Sequence, residues 1–266
     1  MGWNHWEWEE GGTPHNPNVI LPNGRRDIAS AYYPIIGPYD SCDEAVIDYH
    51  IRLAKASGID VFLVDWYSAR QQLTPRLAKW IVWIDVCFQK LLRASERENF
   101  TVVLEYEPTI EFMIPHGTRQ EALSAIEEDI AYIFQNYAYR KSYLQVSGEP
   151  VIFFYGEQTL SPAEWQHIFH DLRSKGMGAI YVGASGNPAY YSAFNGLYEW
   201  IALDAIAREN STADRRLDEV TRTLSQTSVN SSDRFFAAGV WPVFNDSGVS
   251  GCTRWKMRVQ FCFPAP

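Results

Sequence analysis

Gly58-Ile59-Asp60-Val61-Phe62-Leu63-Val64-Asp65-Trp66-Tyr67 decides the fold. Val61 to Trp66 is short, β-branched and almost wholly apolar, the composition of a strand covered on both faces in a parallel sheet. Gly58 closes a preceding helix: residues 43–57 carry Ala45, Val46, Tyr49, Ile51, Leu53 and Ala54 at helical spacing, behind a cap at Ser41 or Asp43. The strand ends in an acid and two aromatics, so it delivers a carboxylate and flat rings to one spot. A site that cleaves sugars requires both kinds of group.

The alternation continues downstream. Residues 73–97 read as a long helix with Trp80, Trp83 and Phe88, and residues 100–106 as the next buried strand, stopped by Pro108. Residues 120–137 are helical and 150–155 a strand. Ser161-Pro162-Ala163-Glu164 is a capping box with proline at the first helical position. A strand at 179–183, a short helix after Asn187-Pro188, a strand at 196–202, a helix at 213–224 and a strand at 235–243 follow. The first 30 residues, rich in Gly, Pro and Asn, read as loop. Strands alternating with helices imply parallel βα units, about six of them. That is too many for a flavodoxin-like domain, and no GxGxxG follows any strand. The expected fold class is α/β, a (β/α)8 TIM-type barrel, with functional residues where the strands end.

Composition narrows the function. The 266 residues suit one large domain. A formal net charge of -9 disfavours nucleic acid and anionic membrane as partners. No apolar run reaches transmembrane length. The residue counts stand out in one respect, with 10 Trp, 15 Tyr and 14 Phe. Rings fill cores, and they also stack on pyranose faces. Cys42, Cys87, Cys252 and Cys262 form no metal spacing. Cys87 reads as a small buried hydrophobe, and Cys252 with Cys262 is a possible bridge. The start Met1-Gly-Trp-Asn is no signal peptide, and the compartment is left open.

The strand ends give the candidate residues in order: Asp65-Trp66-Tyr67, Glu105-Tyr106-Glu107, Tyr155-Gly156-Glu157, Ser185 with Asn187, Glu199-Trp200, and Asn245-Asp246. Alternation puts Glu105 and Glu107 on one face, and neighbouring carboxylates raise each other's pKa. Glycosidic cleavage uses such an acid and base or nucleophile. Each residue has a structural reading beside this one. The glutamates can hold an Arg, Asp65 can cap a helix, and Trp66 can be core. His5, between Trp3 and Trp6, lines a sugar site or packs a loop. His167 and His170 share a helix face without a third ligand, so no metal site is assigned. No cofactor motif is present.

The chain resembles glycoside hydrolase family 99, the endo-α-mannosidases. The resemblance runs through Trp3-Asn4-His5-Trp6, Asp27-Ile28-Ala29-Ser30, Tyr33-Pro34, Gly37-Pro38-Tyr39-Asp40-Ser41, Asp65-Trp66-Tyr67, Glu107-Pro108, Gly148-Glu149-Pro150, Ser161-Pro162 and Trp241-Pro242 to Asn245-Asp246. It implies cleavage of internal α-mannosidic links with retention, through attack by the substrate's own 2-hydroxyl. It implies an oligosaccharide or polysaccharide partner and no cofactor. It also implies that Trp66 packs on the sugar and that Glu107 binds substrate. Glu105 stands where the family often has histidine. The implied binding set is Asp65, Trp66, Tyr67, Glu105, Glu107, Tyr155, His5, Trp6, Asn245 and Asp246, with Glu107 the best carboxylate for catalysis. The family's catalytic pair lies in a last-strand pattern like Asn-Glu-Trp-x-Glu-Gly, which these 266 residues do not contain. The expectation is therefore a barrel lacking its first and last strands, with residues 1–251 a partial catalytic domain and 252–266 an unrelated tail. Low stability and negligible turnover go with it. The alternative is a barrel that binds glycan without cutting it.

Overall fold

Apolar β-branched runs become strands where the pattern places them. The computed structural model describes residues 4–7, 9–10, 13–30, 32–69, 75–108, 118–198, 213–229 and 234–239. Apart from three two-residue antiparallel strands among the described residues, its strands form a parallel wall: β1 Val61–Trp66, β2 Thr101–Tyr106, β3 Glu149–Phe154, β4 Ile180–Ala184, β5 Gly196–Tyr198 and β6 Phe235–Ala237. They pair in that order, all parallel, and the sheet does not close: β1 and β6 are its two ends among the described residues. Helices α1 Glu44–Ala56, α2 Pro75–Glu98, α3 Arg119–Asn136, α4 Pro162–Ser174 and α5 Ala213–Val229 lie between or before the strands, with a 3-10 turn Pro188–Ser192 linking β4 to β5. Among the described residues this is an open parallel wall of the expected α/β barrel class.

Local chemistry fixes the helix ends. The Asp43 side chain accepts from the Ala45 amide, so Asp43 rather than Ser41 caps α1. Gly58 takes φ 75°, which ends that helix and turns the chain toward β1. Both halves of the Ser161/Glu164 capping box form at α4, and Thr118/Glu121 builds a second at α3. Arg119 joins the first of these through Glu164, whose carboxyl falls to about 2 under the Arg119 and Ser161 hydrogen bonds.

Register decides which side chains face where. Asp65, Glu105 and Phe153 are lateral neighbours, and so are Trp66, Tyr106 and Phe154. Neighbours in register share a face, so the two sets lie on opposite sides of the sheet. The outward set is buried against helices. Phe154 meets Trp165, Phe169 and Phe194 at centroid distances of 5.1 to 5.6 Å, and Tyr181 stacks on Phe169 at 3.8 Å. Much of the aromatic surplus is thus the wall between sheet and helices.

The inward face is concave. Tyr198 of β5 donates to Glu105 Oε1 of β2. Those strands are three steps apart in the sheet, about 14 Å at ordinary strand spacing. Side chains standing upright on a flat sheet would not meet across that gap. The wall must curve as a barrel wall does. On the same face the Phe235 ring lies over Gly196, where an added Cβ would come within 2.4 Å of it.

The cysteine expectation needs correction. Cys87 is not a lone hydrophobe. It forms a disulfide with Cys42, with Cα atoms 4.8 Å apart, tying the segment before α1 to the middle of α2. Both sulfurs lie where helix packing already brings their backbones together, which no spacing rule reveals. Cys252 and Cys262, and the 251/252 boundary, lie outside the described residues. Beside this staple, along the edge of β1 that pairs with no strand among the described residues, runs a cavity of about 630 Å³ lined by α1, β1 and α2, with Leu53, Phe62, Leu63, Trp83 and Leu91 among its walls. Leu63 is left 39% exposed there, where β1 has no second partner strand among the described residues.

Residues Ser41–Gly239 form one compact unit, and Met1–Asp40 with Val240–Pro266 another. Within the second, His15 and Asp27 pair at 2.6 Å. There the Trp6 indole donates to the Tyr39 carbonyl at 2.9 Å and meets its ring edge-on at 5.5 Å.

The disulfide closes a loop with a sequence separation of 45. Chain entropy assigns such a cross-link about 4 kcal/mol. Reducing it, or making the Cys42→Ser/Cys87→Ser double variant, is expected to lower the urea midpoint by an equivalent amount. A midpoint unmoved by dithiothreitol would show the bridge contributes nothing.

Candidate active site

Four strand ends contribute to the concave face. β1 brings Asp65, β2 brings Glu105 directly beside it in register, and Glu107 follows where the ladder runs one residue on through the Glu107 amide to the Trp66 carbonyl. The Tyr155 amide extends the next pair in the same way, donating to the Tyr106 carbonyl at 3.1 Å. Tyr67 donates to Asp65 Oδ2 at 2.8 Å and also lies within hydrogen-bonding reach of Glu107. Tyr198 closes the group from β5 through Glu105. Asp65, Tyr67, Glu105 and Glu107 are therefore gathered as expected, and Tyr155 sits one strand on, half-buried.

Their electrostatics follow from crowding. Glu105 is 1% exposed, and burial pushes its carboxyl up to about 7, against the opposing pull of the Tyr198 hydrogen bond. The charges of Asp65 and Glu107 raise it further. Asp65 is pushed to about 6 by desolvation among the strand ends and by Glu107, while Tyr67 holds it down. Burial beside these acids drives the Tyr67 and Tyr198 phenols well above the usual range, so both remain neutral donors. Glu157, 4% exposed past the end of β3, is likewise raised by burial and opposed by Ser185. The rim therefore holds protons near neutrality, and those protons can move to or from a bound hydroxyl or glycosidic oxygen.

One expected residue faces away from the rim, and several others lie outside the described residues. Trp66 has no exposed surface. It points outward, stacks on Tyr132 at 6.1 Å and donates from its indole to Asp85 Oδ1 at 2.9 Å. A ring sealed between sheet and helices cannot lie on a sugar, so Trp66 is core. Its neighbours on the chain, Asp65 and Tyr67, take the inward face by alternation. Trp6 belongs to the other compact unit, where its indole donates to the Tyr39 carbonyl. The side chain of His5, and Glu199, Trp200, Asn245 and Asp246, lie outside the described residues. Among the described residues, no group of three or more potential ligands gathers for a metal. His167 instead reaches Asp171 on the exposed side of α4.

Sequence reasoning missed Tyr198. Its signal was present, a polar aromatic on the last residue of a short strand before Glu199, but its partner lies 93 residues away and only curvature joins them. It also missed Asp85 and Asp129. Asp85 accepts from Trp66, Gln89, Tyr132 and Tyr137, and Asp129 from Ser68 and Tyr106. These buried acids satisfy the polar tips of the outward rings.

Comparison with known proteins now bears on this arrangement. The family model described as Glycosyl hydrolase family 99 matches residues 1–215. The chain belongs to this family. Its relatives include the mouse glycoprotein endo-alpha-1,2-mannosidase-like protein, 22% identical over 225 residues, covering 75% of this chain and 46% of the relative. The mouse glycoprotein endo-alpha-1,2-mannosidase is 21% identical over 230 residues, covering 79% and 46%. The chain thus spans about half the length of the curated relatives it matches. Among solved structures, the family 99 endo-alpha-mannosidase of Bacteroides thetaiotaomicron matches with a TM-score of 0.65 at 20% identity, over 95% of this chain and 74% of that one. That likeness shows the family 99 barrel fold.

The raised carboxyl of Glu105 carries a stability signature. A folded-state value above the unfolded one means the native state binds more protons, so stability falls as pH rises from about 4.5 through 7. Glu105→Gln removes this cost. The variant is expected to match the parent at pH 5 and exceed it at pH 8 by about 1 to 3 kcal/mol. Parallel pH–stability curves for the two proteins would contradict the assignment.

Proposed function

We propose that the chain is the glycan-contacting part of a mannoside-acting glycoside hydrolase, with Asp65, Tyr67, Glu105, Glu107 and Tyr155 facing the sugar. One observation carries the reading: in a family 99 chain, carboxylates from adjacent strand ends are gathered with phenols on the inner rim of a barrel wall. Relatives named as endo-α-1,2-mannosidases support an α-mannosidic substrate. The reading extends to retaining cleavage within the glycan, in which the 2-hydroxyl of the sugar attacks the anomeric carbon. Such a step needs a base for that hydroxyl and an acid for the departing oxygen. Glu105 and Asp65 have values suited to holding and passing protons near neutrality. Glu107, a residue beyond the strand and beside Tyr67, is assigned to binding hydroxyls of the substrate.

A second reading, a rim that binds glycan without cutting it, draws on a specific feature of the sequence. The last-strand glutamate pattern is not among these 266 residues. The two readings give different results with α-1,2-mannobiose and a longer α-1,2-mannan. Binding is followed by calorimetry and products by anion-exchange chromatography. For the 266-residue chain the expected outcome is binding that Glu107→Gln weakens at least about 10-fold, roughly the loss of one charge-assisted hydrogen bond. Product formation lost in the same variant would favour the hydrolytic reading for the chain itself. Absence of both binding and turnover would overturn the glycan assignment. Trp66→Phe separates core from contact: it is expected to lower thermal stability while leaving mannoside affinity within about 2-fold.

A further inference from the structure

We propose that Tyr198 is the positioning residue of the rim, holding one oxygen of Glu105 so that the other is presented to a sugar hydroxyl. The proposal rests on the mannoside reading of this site. Its basis is geometric. Tyr198 is 7% exposed, its ring meets Phe153 edge-on at 5.3 Å, and its hydroxyl also lies 3.4 Å from the Phe154 carbonyl. The phenol is therefore clamped and has little freedom to swing away. It donates to Oε1 of a carboxyl that is itself almost fully buried. Among the described residues nothing else is bonded to that carboxyl, so Oε2 has its hydrogen-bonding capacity in hand.

The surroundings determine what Oε2 can accept or give. Asp65 faces Glu105 from β1, Glu107 from the end of β2, and Tyr198 from β5, with Glu157 past β3 acting on Tyr198. β3 and β4 present Phe153 and Val182 in register with Glu105. Among the described residues every titratable neighbour acting on Glu105 is acidic or phenolic, so none of them is a cation that fixes the charge. Glu105 consequently keeps a proton toward neutrality, and Oε2 can donate to a sugar oxygen as well as accept from a hydroxyl. Tyr198 settles which oxygen does so, because a neutral phenol donates to Oε1 and leaves Oε2 for the ligand. Loss of the phenol hydroxyl frees the carboxyl to rotate and removes a bond that favours its ionised form.

The experiment is carbon-13 NMR of the carboxyl carbons in the whole chain labelled at glutamate, as a function of pH and of added α-1,2-mannobiose. Glu105→Gln removes one resonance and so assigns it. In the parent the Glu105 resonance is expected to titrate near neutrality and to shift on adding mannobiose. In Tyr198→Phe its midpoint should rise measurably, and mannobiose should bind at least about 5-fold more weakly. Weaker binding with an unmoved Glu105 midpoint would make Tyr198 merely structural and overturn the proposal. So would a Tyr198→Phe protein that titrates and binds as the parent does. A midpoint that moves while mannobiose shifts no Glu105 resonance in the parent overturns it differently. The phenol–carboxyl pair would then stand, and the mannoside reading would be what failed.

Discussion

The alternation of side chains across a parallel sheet is the constraint on which everything else rests. In β1 and β2 the inward positions are Asp65 and Glu105, and the outward ones are Trp66 and Tyr106. One strand residue to either side, the chemistry reverses completely. A slip of one position would bury two carboxylates against the helices and turn two large rings into the concavity. The register is therefore fixed from both sides. Outward rings demand a helical cover, and inward acids demand one another, phenols or ligand.

The outer wall solves a difficulty of its own. Trp66, Tyr106 and Tyr137 are large enough to dominate packing but carry polar tips that burial would strand. Asp85 and Asp129, on α2 and α3, receive those tips. Each is nearly inaccessible to water, at 5% and 2% exposure. Each accepts at least two donors, so hydrogen bonds replace the hydration that burial removes. These bonds also index helix to strand at defined points. A wall indexed so can hold the concave face against the repulsion of its own acids.

That logic explains which parts were legible in the sequence. Strands and helices were, because β-branched runs, capping boxes and Gly58 encode them locally. Asp65, Glu105 and Glu107 were legible as acids at strand ends. The inward or outward sense of Trp66 was legible too, from parity with Asp65, but the resemblance to sugar-binding proteins drew the reading the other way. Tyr198 was not, because a contact across three strand steps depends on curvature, which no short motif specifies. Nor was the Cys42–Cys87 bridge, since pairing depends on how α1 and α2 sit together in space. Local rules report elements and faces. They do not report closures.

The rim and the outer edge of β1 meet at one carboxylate. Asp65 ends an edge strand and remains exposed while Glu105, one strand inward, is sealed. Water can reach the first more easily than the second, and it screens charge where it reaches. Even so, both carboxyls rise by similar amounts from their ordinary values, Glu105 to about 7 and Asp65 to about 6, with burial the largest cause in each. Covering the β1 edge would remove that water from Asp65 as well. The two acids would then repel more strongly, and one proton shared between them would become harder to lose.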